Sequence, residues 1–332
     1  MSFAISVLDL ASIAPGRTAR DAFANSVEIA RAAERGGYRR VWYAEHHNMG
    51  SIASSATSVL IGHVAERTDT IRLGSGGIML PNHSPLVIAE QFGTLGTLYP
   101  GRIDLGLGRA PGSDQKTMYA LRRNPSSADS FPQDVLELDG YLTGNTRVSG
   151  VRAVPEPEQP VPLYILGSSL FGAQLAAQLG LPYAFASHFA PDALHQAVAA
   201  YRDGFRPSQQ LDEPYVMAGV NVFTADDHDA AVEQKTVAYR ARARMMISRG
   251  PAGRSFTDEE IDAFLSSPNG GQLTAMTKYT AVGTPDETRS YLEEFAASLD
   301  ADELILTHQS TEVADRVRSV ELTGTAMAAV TK

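Results

Sequence analysis

Residues 70–109 read TIRLGSGGIMLPNHSPLVIAEQFGTLGTLYPGRIDLGLGR. Two short apolar runs, TIRLGSGG (70–77) and RIDLGLGR (102–109), flank a longer stretch, SPLVIAEQFGTLGTLYPG, whose small and apolar residues recur at three-to-four spacing and which closes on glycine. The short runs suit strands and the long one a helix. Two strands joined through a helix run parallel, because the chain needs a dozen or more residues to return to the edge it started from.

The same unit repeats outward in both directions. Towards the N-terminus lie FAISVLDL (3–10) and RRVWYAE (39–45), separated by the helical pattern TARDAFANSVEIARAAERGG; SSATSVLIGHVAERT follows the second. Towards the C-terminus lie VPLYILG (161–167), LPYAFASH (181–188), PYVMAGVNVFTA (214–225) and DELILTH (302–308), which brings the expected strands to eight. The fold class this predicts is α/β, a closed (β/α)8 TIM barrel formed by residues 1–332 as a single domain. An open, doubly wound sheet is the alternative, but its nucleotide fingerprint is not met. GLGRAP (106–111) has Pro111 where the last glycine should stand, and GSGGIM (74–79) ends in methionine.

Two connections are longer than the rest. One follows strand four over about 109–130, and the other is an insertion after strand seven at about 248–280, carrying SRGPAGRSF, the helix-like TDEEIDAFLSS and PNGGQL. Long excursions at a barrel mouth serve as lids. VPEPEQPVP (154–162) reads as a stiff, extended lead into strand five.

Composition narrows the function. With 28 Lys and Arg against 38 Asp and Glu the net charge is -10, so a nucleic acid would be repelled. The absence of cysteine removes disulfides, thiolate metal sites and thiol nucleophiles. No segment approaches the roughly 18 apolar residues of a membrane span, and the start lacks the pattern of a secretory signal. A cytoplasmic protein with no membrane partner is expected.

The chemistry gathers at the ends of the strands. Strand two runs into Glu45, His46 and His47 in AEHHN. Neighbouring strand residues point to opposite faces, so the two histidines cannot both turn to one small ligand, and no metal is expected there. H-E-x-x-H, a first-strand H-x-H and G-x-S-x-G are all absent. His46 remains as a proton-transfer group, with an ordinary pKa of about 6.5, unless both histidines merely cap the strand.

Gly76 and Gly77, in SGGIMLPNHSP, would let a flat ligand approach the backbone, or simply make a tight turn. Gly108 and Arg109 follow strand four, where a guanidinium would clamp a phosphate or form a salt bridge. After strand five, Gly167, Ser168 and Ser169 open a helix in LGSSLFGAQLAAQLG, which suits an anion, although either serine would also serve as a plain N-cap. Arg109 and this helix start converge on one edge of the mouth. Together they point to a phosphate-bearing cofactor.

On these motifs the sequence resembles the bacterial luciferase-like family of flavin-dependent monooxygenases. AEHHN, LGSGGIMLPNHSP, YPGRIDLGLGRAPG, LGSS, VGTPDETRSYLEEF and ADELILTH carry the likeness, in order, over nearly the whole chain. The resemblance implies reduced FMN in the C-terminal mouth of a (β/α)8 barrel, where it activates O2 as a flavin C4a-hydroperoxide to oxygenate a small apolar substrate. His46 would lie at the reactive edge of the flavin, with Glu45 orienting it. Gly76 and Gly77 would form a cis peptide beneath the ring, beside Gly108, and Arg109, Gly167, Ser168 and Ser169 would hold the phosphate.

Further implications concern partners. The chain shows no nicotinamide-binding motif, so a separate flavin reductase would supply reduced FMN. The helices SSATSVLIGHVAERT and SPLVIAEQFGTLGTL, the second carrying Glu90, would form a homodimer interface, and Leu8, Trp42 and Met79 would line the substrate. Luciferase itself carries a cysteine where Gly108 stands, so light emission is not implied. The family also includes F420-dependent oxidoreductases and non-catalytic flavin-binding proteins, which stay as alternatives.

Overall fold

A computed structural model describes residues 3–110, 114–247 and 256–328. Pro111, which breaks the nucleotide fingerprint, and most of SRGPAGRSF lie outside the described residues. The strands are β1 (Ala4–Asp9), β2 (Arg40–Tyr43), β3 (Arg72–Met79), β4 (Ile103–Gly108), β5 (Leu163–Gly167), β6 (Tyr183–Phe185), β7 (Val216–Thr224), β8 (Thr280–Gly283) and β9 (Glu303–His308). Their pairing order is β6-β5-β4-β3-β2-β1-β9-β7, and a further β6–β7 pairing closes the ring. All these ladders are parallel, so the molecule is a (β/α)8 barrel.

β8 is the strand the sequence did not reveal. It stands outside the ring and pairs only with the far half of β7, from Asn221↔Thr280 to Thr224↔Gly283. The expected loops are also more helical than anticipated. The segment after β4 contains a helix, Gln115–Ala120, and a 3-10 turn, Pro125–Ala128, before the anticipated helix at Phe131–Leu142. After β7 come helices His228–Ile247, Asp258–Leu265 and Pro268–Met276, the last of which takes in PNGGQL.

Burial divides the strands by parity. One set of side chains packs outward under the helices in the main core, with Val7, Val41, Leu73, Leu105 and Leu306 among them. The other fills the lumen with Leu8, Trp42, Ala44, Tyr164, Ala184, Met217 and Ile305. Strands covered on both faces read as continuous apolar runs, which is why their existence could be inferred.

Below that apolar layer the lumen is charged. Arg40 pairs with Asp104 at 2.8 Å and with Glu303 at 3.0 Å, all three being essentially inaccessible. Asp104 also accepts from Trp42 Nε1 at 3.2 Å and pairs with Arg72. Glu303 accepts from Ser6 Oγ and from Tyr215 Oη. Buried ions of this kind persist only when paired and hydrogen-bonded. Trp42, expected beside the substrate, is instead locked into this floor, fully buried.

Candidate active site

At the C-terminal end of β2 the chain leaves the strand through Ala44, which packs in the lumen, and runs on into Glu45, His46 and His47. Glu45 is 1% exposed, and its Oε1 accepts Nε2–H bonds from His47 at 2.7 Å and His83 at 2.8 Å. Its Oε2 accepts the Met79 N–H at 3.1 Å. Burial alone would raise this carboxyl, but the bonds from His47, His83 and Met79 outweigh it and hold the group below the usual carboxylate range.

The same carboxylate draws His47 above its ordinary value, because the hydrogen bond to Glu45 favours the charged ring more than burial opposes it. His46 moves the other way: burial lowers it, with Glu45 opposing and His47 assisting. Nδ1–H of His46 donates to the Glu45 carbonyl at 2.6 Å, which leaves Nε2 with the lone pair of the neutral ring. A neutral imidazole with Nε2 free can accept a proton near neutrality. Glu45, His47 and His83 also bring three metal-type ligand atoms within 4.8 Å of one another, but the hydrogen bonds just described satisfy them as they stand.

Next around the ring, Gly76 and Gly77 are joined by a cis peptide bond. They lie inside β3 and not at its end, where the register with β4 shifts between Ser75 and Ile78. A Cβ on Gly76 would come 2.8 Å from Leu8 Cδ1 and 2.9 Å from Trp42 Cβ. One on Gly77 would come 2.8 Å from the Gly106 carbonyl oxygen. No side chain fits at either position, because the neighbouring strands and lumen side chains come up against the backbone there. Gly108 is nearly as tight, 3.0 Å from Met79 Sδ.

Arg109 leaves the end of β4 and meets the start of the helix Leu170–Leu179 that follows β5. Its guanidinium carbon stands 4.1 Å from the Phe171 ring centroid, and Nε donates to the Ala128 carbonyl at 3.4 Å. No carboxylate among the described residues pairs with it. Ser169 is the N-cap of that helix, yet its side chain makes no capping bond, and both Ser168 and Ser169 are exposed. The Arg109 guanidinium thus stands against the first turn of a helix whose N-cap side chain makes no capping bond. Gly167 has only ordinary contacts, with Gly172 Cα at 3.6 Å from its imagined Cβ.

The end of β4 and the helix start after β5 offer donors to an anion, the β3 glycines admit no side chain, and His46 after β2 offers a neutral imidazole. His83 belongs to the site as the second anchor of Glu45 and was not singled out in the sequence. Only its place in SGGIMLPNHSP, one connection along from AEHHN, hinted at it.

The family described as luciferase-like monooxygenase matches the chain over residues 1–303. A protein of Escherichia coli strain K12 named luciferase-like monooxygenase is 50% identical over 323 residues, which is 97% of this chain and 96% of the relative. N-acetyl-S-alkylcysteine monooxygenase of Bacillus subtilis strain 168 is 31% identical over 310 residues, 91% of each chain. Among solved structures, apo-MsnO8 superposes with a TM-score of 0.88 at 32% identity, covering 98% of this chain and 99% of the other. In the described residues no helix is long and apolar enough to cross a membrane.

Proposed function

Because this chain belongs to the luciferase-like monooxygenase family, matched over residues 1–303, we propose that it is an FMN-dependent monooxygenase that oxygenates a small, largely apolar organic molecule with O2. The observation that carries the reading is Arg109, stacked on Phe171 beside an uncapped helix start, with no carboxylate among the described residues to occupy it. That arrangement needs an anion, and FMN ends in one.

When bound, reduced FMN would supply the electrons for oxygen activation, delivered by a separate reductase. The chain's own residues bind, orient and move protons. Arg109, Ser168, Ser169 and the N–H groups behind Gly167 take the phosphate. Gly76, Gly77 and Gly108 give the ring system a surface without side chains. His46 accepts or returns a proton at Nε2, and Glu45, fixed by His47, His83 and Met79, holds the peptide whose carbonyl fixes the ring of His46.

The whole chain acts as one cytoplasmic domain, and two copies pair through helices Thr57–Ala65 and Pro85–Leu98. Val59, Val87 and Leu98 on those helices are 71%, 45% and 63% exposed, which supports an apolar contact there. Glu90, half-buried on the second helix, would lie within it.

Equilibrium titration tests the coenzyme. The chain is expected to bind FMN more tightly than F420, and Arg109→Ala is expected to weaken FMN by tenfold or more while changing riboflavin, which has no phosphate, by less than threefold. Equal losses for both flavins would reject the clamp. Preference for F420 would transfer the chain to the deazaflavin-dependent oxidoreductases.

A further inference from the structure

The residues assigned to FMN occupy the ends of β2, β3, β4 and β5. The opposite half of the mouth, above β6, β7 and β9, is built differently. Helix His228–Ile247 carries arginines at 240, 242 and 244. Residues four apart share a helix face, and Arg240 and Arg244 are both neutralised there. Arg240 Nε donates to Asp262 at 2.8 Å, and Arg244 pairs with Asp258. Arg242 lies about 200° around the helix axis from either.

There its Nη2 donates to Gln309 Oε1 at 3.4 Å, a long bond to a neutral acceptor. No carboxylate among the described residues pairs with it, and the side chain is half-buried. Gln309 cannot swing to meet it more closely. Its Nε2 donates to Asn221 Oδ1 at 3.0 Å and to Thr307 Oγ1 at 3.2 Å, and Asn221 in turn donates to the His188 carbonyl at 2.7 Å. His188 closes the group: a Cβ on Gly219 would stand 2.3 Å from its Nδ1, which is buried without a partner. Burial, with the nearby charge of Arg242, lowers this histidine to about 4 and keeps it neutral at pH 7. Four residues before His188 and four before Gln309, in the lumen cluster, are Ala184 and Ile305.

A guanidinium drawn out of water beside a neutral ring and a fixed amide lacks the anion that would offset its desolvation. We propose that Arg242 receives the carboxylate of the substrate, so that the molecule oxygenated here is an apolar organic acid. Its acid group is held at the Arg242 guanidinium, in place of the long bond to Gln309, and its apolar body lies over the lumen towards Gly76. This assignment rests on the reading of the facing half of the mouth as the FMN site.

The test is titration of the FMN-loaded protein with octanoate, phenylacetate and 4-phenylbutyrate, and with their methyl esters, following the flavin absorption bands. At least one acid is expected to bind tenfold or more tightly than its ester. In Arg242→Met that preference should fall below threefold with FMN affinity changed less than twofold, while Arg242→Lys, which keeps the charge, should retain more than threefold. Equal binding of acids and esters by the unaltered chain, or a preference that survives Arg242→Met, would overturn the proposal. So would a tenfold loss of FMN affinity in Arg242→Met, since the guanidinium would then belong to the coenzyme. If the unaltered chain does not bind FMN, it is the coenzyme reading that fails, and the acid-over-ester preference is read from thermal shifts of the flavin-free chain.

Discussion

Beside one carboxylate, two adjacent histidines move in opposite directions. Glu45 draws His47 up from 6.5, and burial takes His46 down from the same value. The stability these groups confer has a defined pH window. The contribution of Glu45, whose carboxyl sits below 4.5 in the folded chain, is present above 4.5 and lost as pH falls through the folded value. That of His47 is complete below 6.5 and lost as pH rises through its raised value. Both are present together between 4.5 and 6.5. Glu45→Gln is therefore expected to cost roughly 1–3 kcal/mol at about pH 5.5 and distinctly less at about pH 9, read from urea unfolding at the two values. An equal loss at both would show that the hydrogen bonds count and the charge does not. In the sequence, the alternation of strand side chains predicts that His46 and His47 point apart. It could not supply His83, Arg242 or Phe171 as partners, because those depend on register between strands and on which way a helix is turned.

Local pattern misjudged some elements where turn residues begin a helix. PNGGQL reads as a loop, yet Pro268 starts a helix, where its missing N–H is no loss, and the Ser267 side chain caps Gly270 N–H. The two glycines that follow differ sharply. A Cβ on Gly270 would meet the Phe264 carbonyl oxygen at 2.1 Å, whereas one on Gly271 would meet nothing within 4 Å. Gly271→Ala should thus stabilise by about 0.4–1 kcal/mol by restricting the unfolded chain, while Gly270→Ala should destabilise by at least as much. Denaturant midpoints of the two variants check the sign of each. β8 escaped notice for a related reason: TAVG is four residues long and lies directly before the Thr284 cap of the next helix, too brief to show a period of its own.

Across the molecule, the ring of strands was legible because each is covered on both faces and so reads as an apolar run. What fills the ring was not. Arg40, Asp104 and Glu303 stand at or near the starts of those runs, and only the curl of the sheet brings residues so distant in sequence within 3.0 Å. Arg40→Met would leave the buried Glu303 without a cation and Asp104 with Arg72 alone, and is expected to cost about 3–5 kcal/mol, measured by equilibrium unfolding; a loss under about 1 kcal/mol would show the network to be dispensable. The strand added outside the ring has a different bearing. The chain departs from β7 at Thr224 and returns along it at Gly283, the two held as partners in one ladder. The two ends of the excursion are thus side by side on one ladder, so its length and sequence can change while the register of the ring beneath stays as it is.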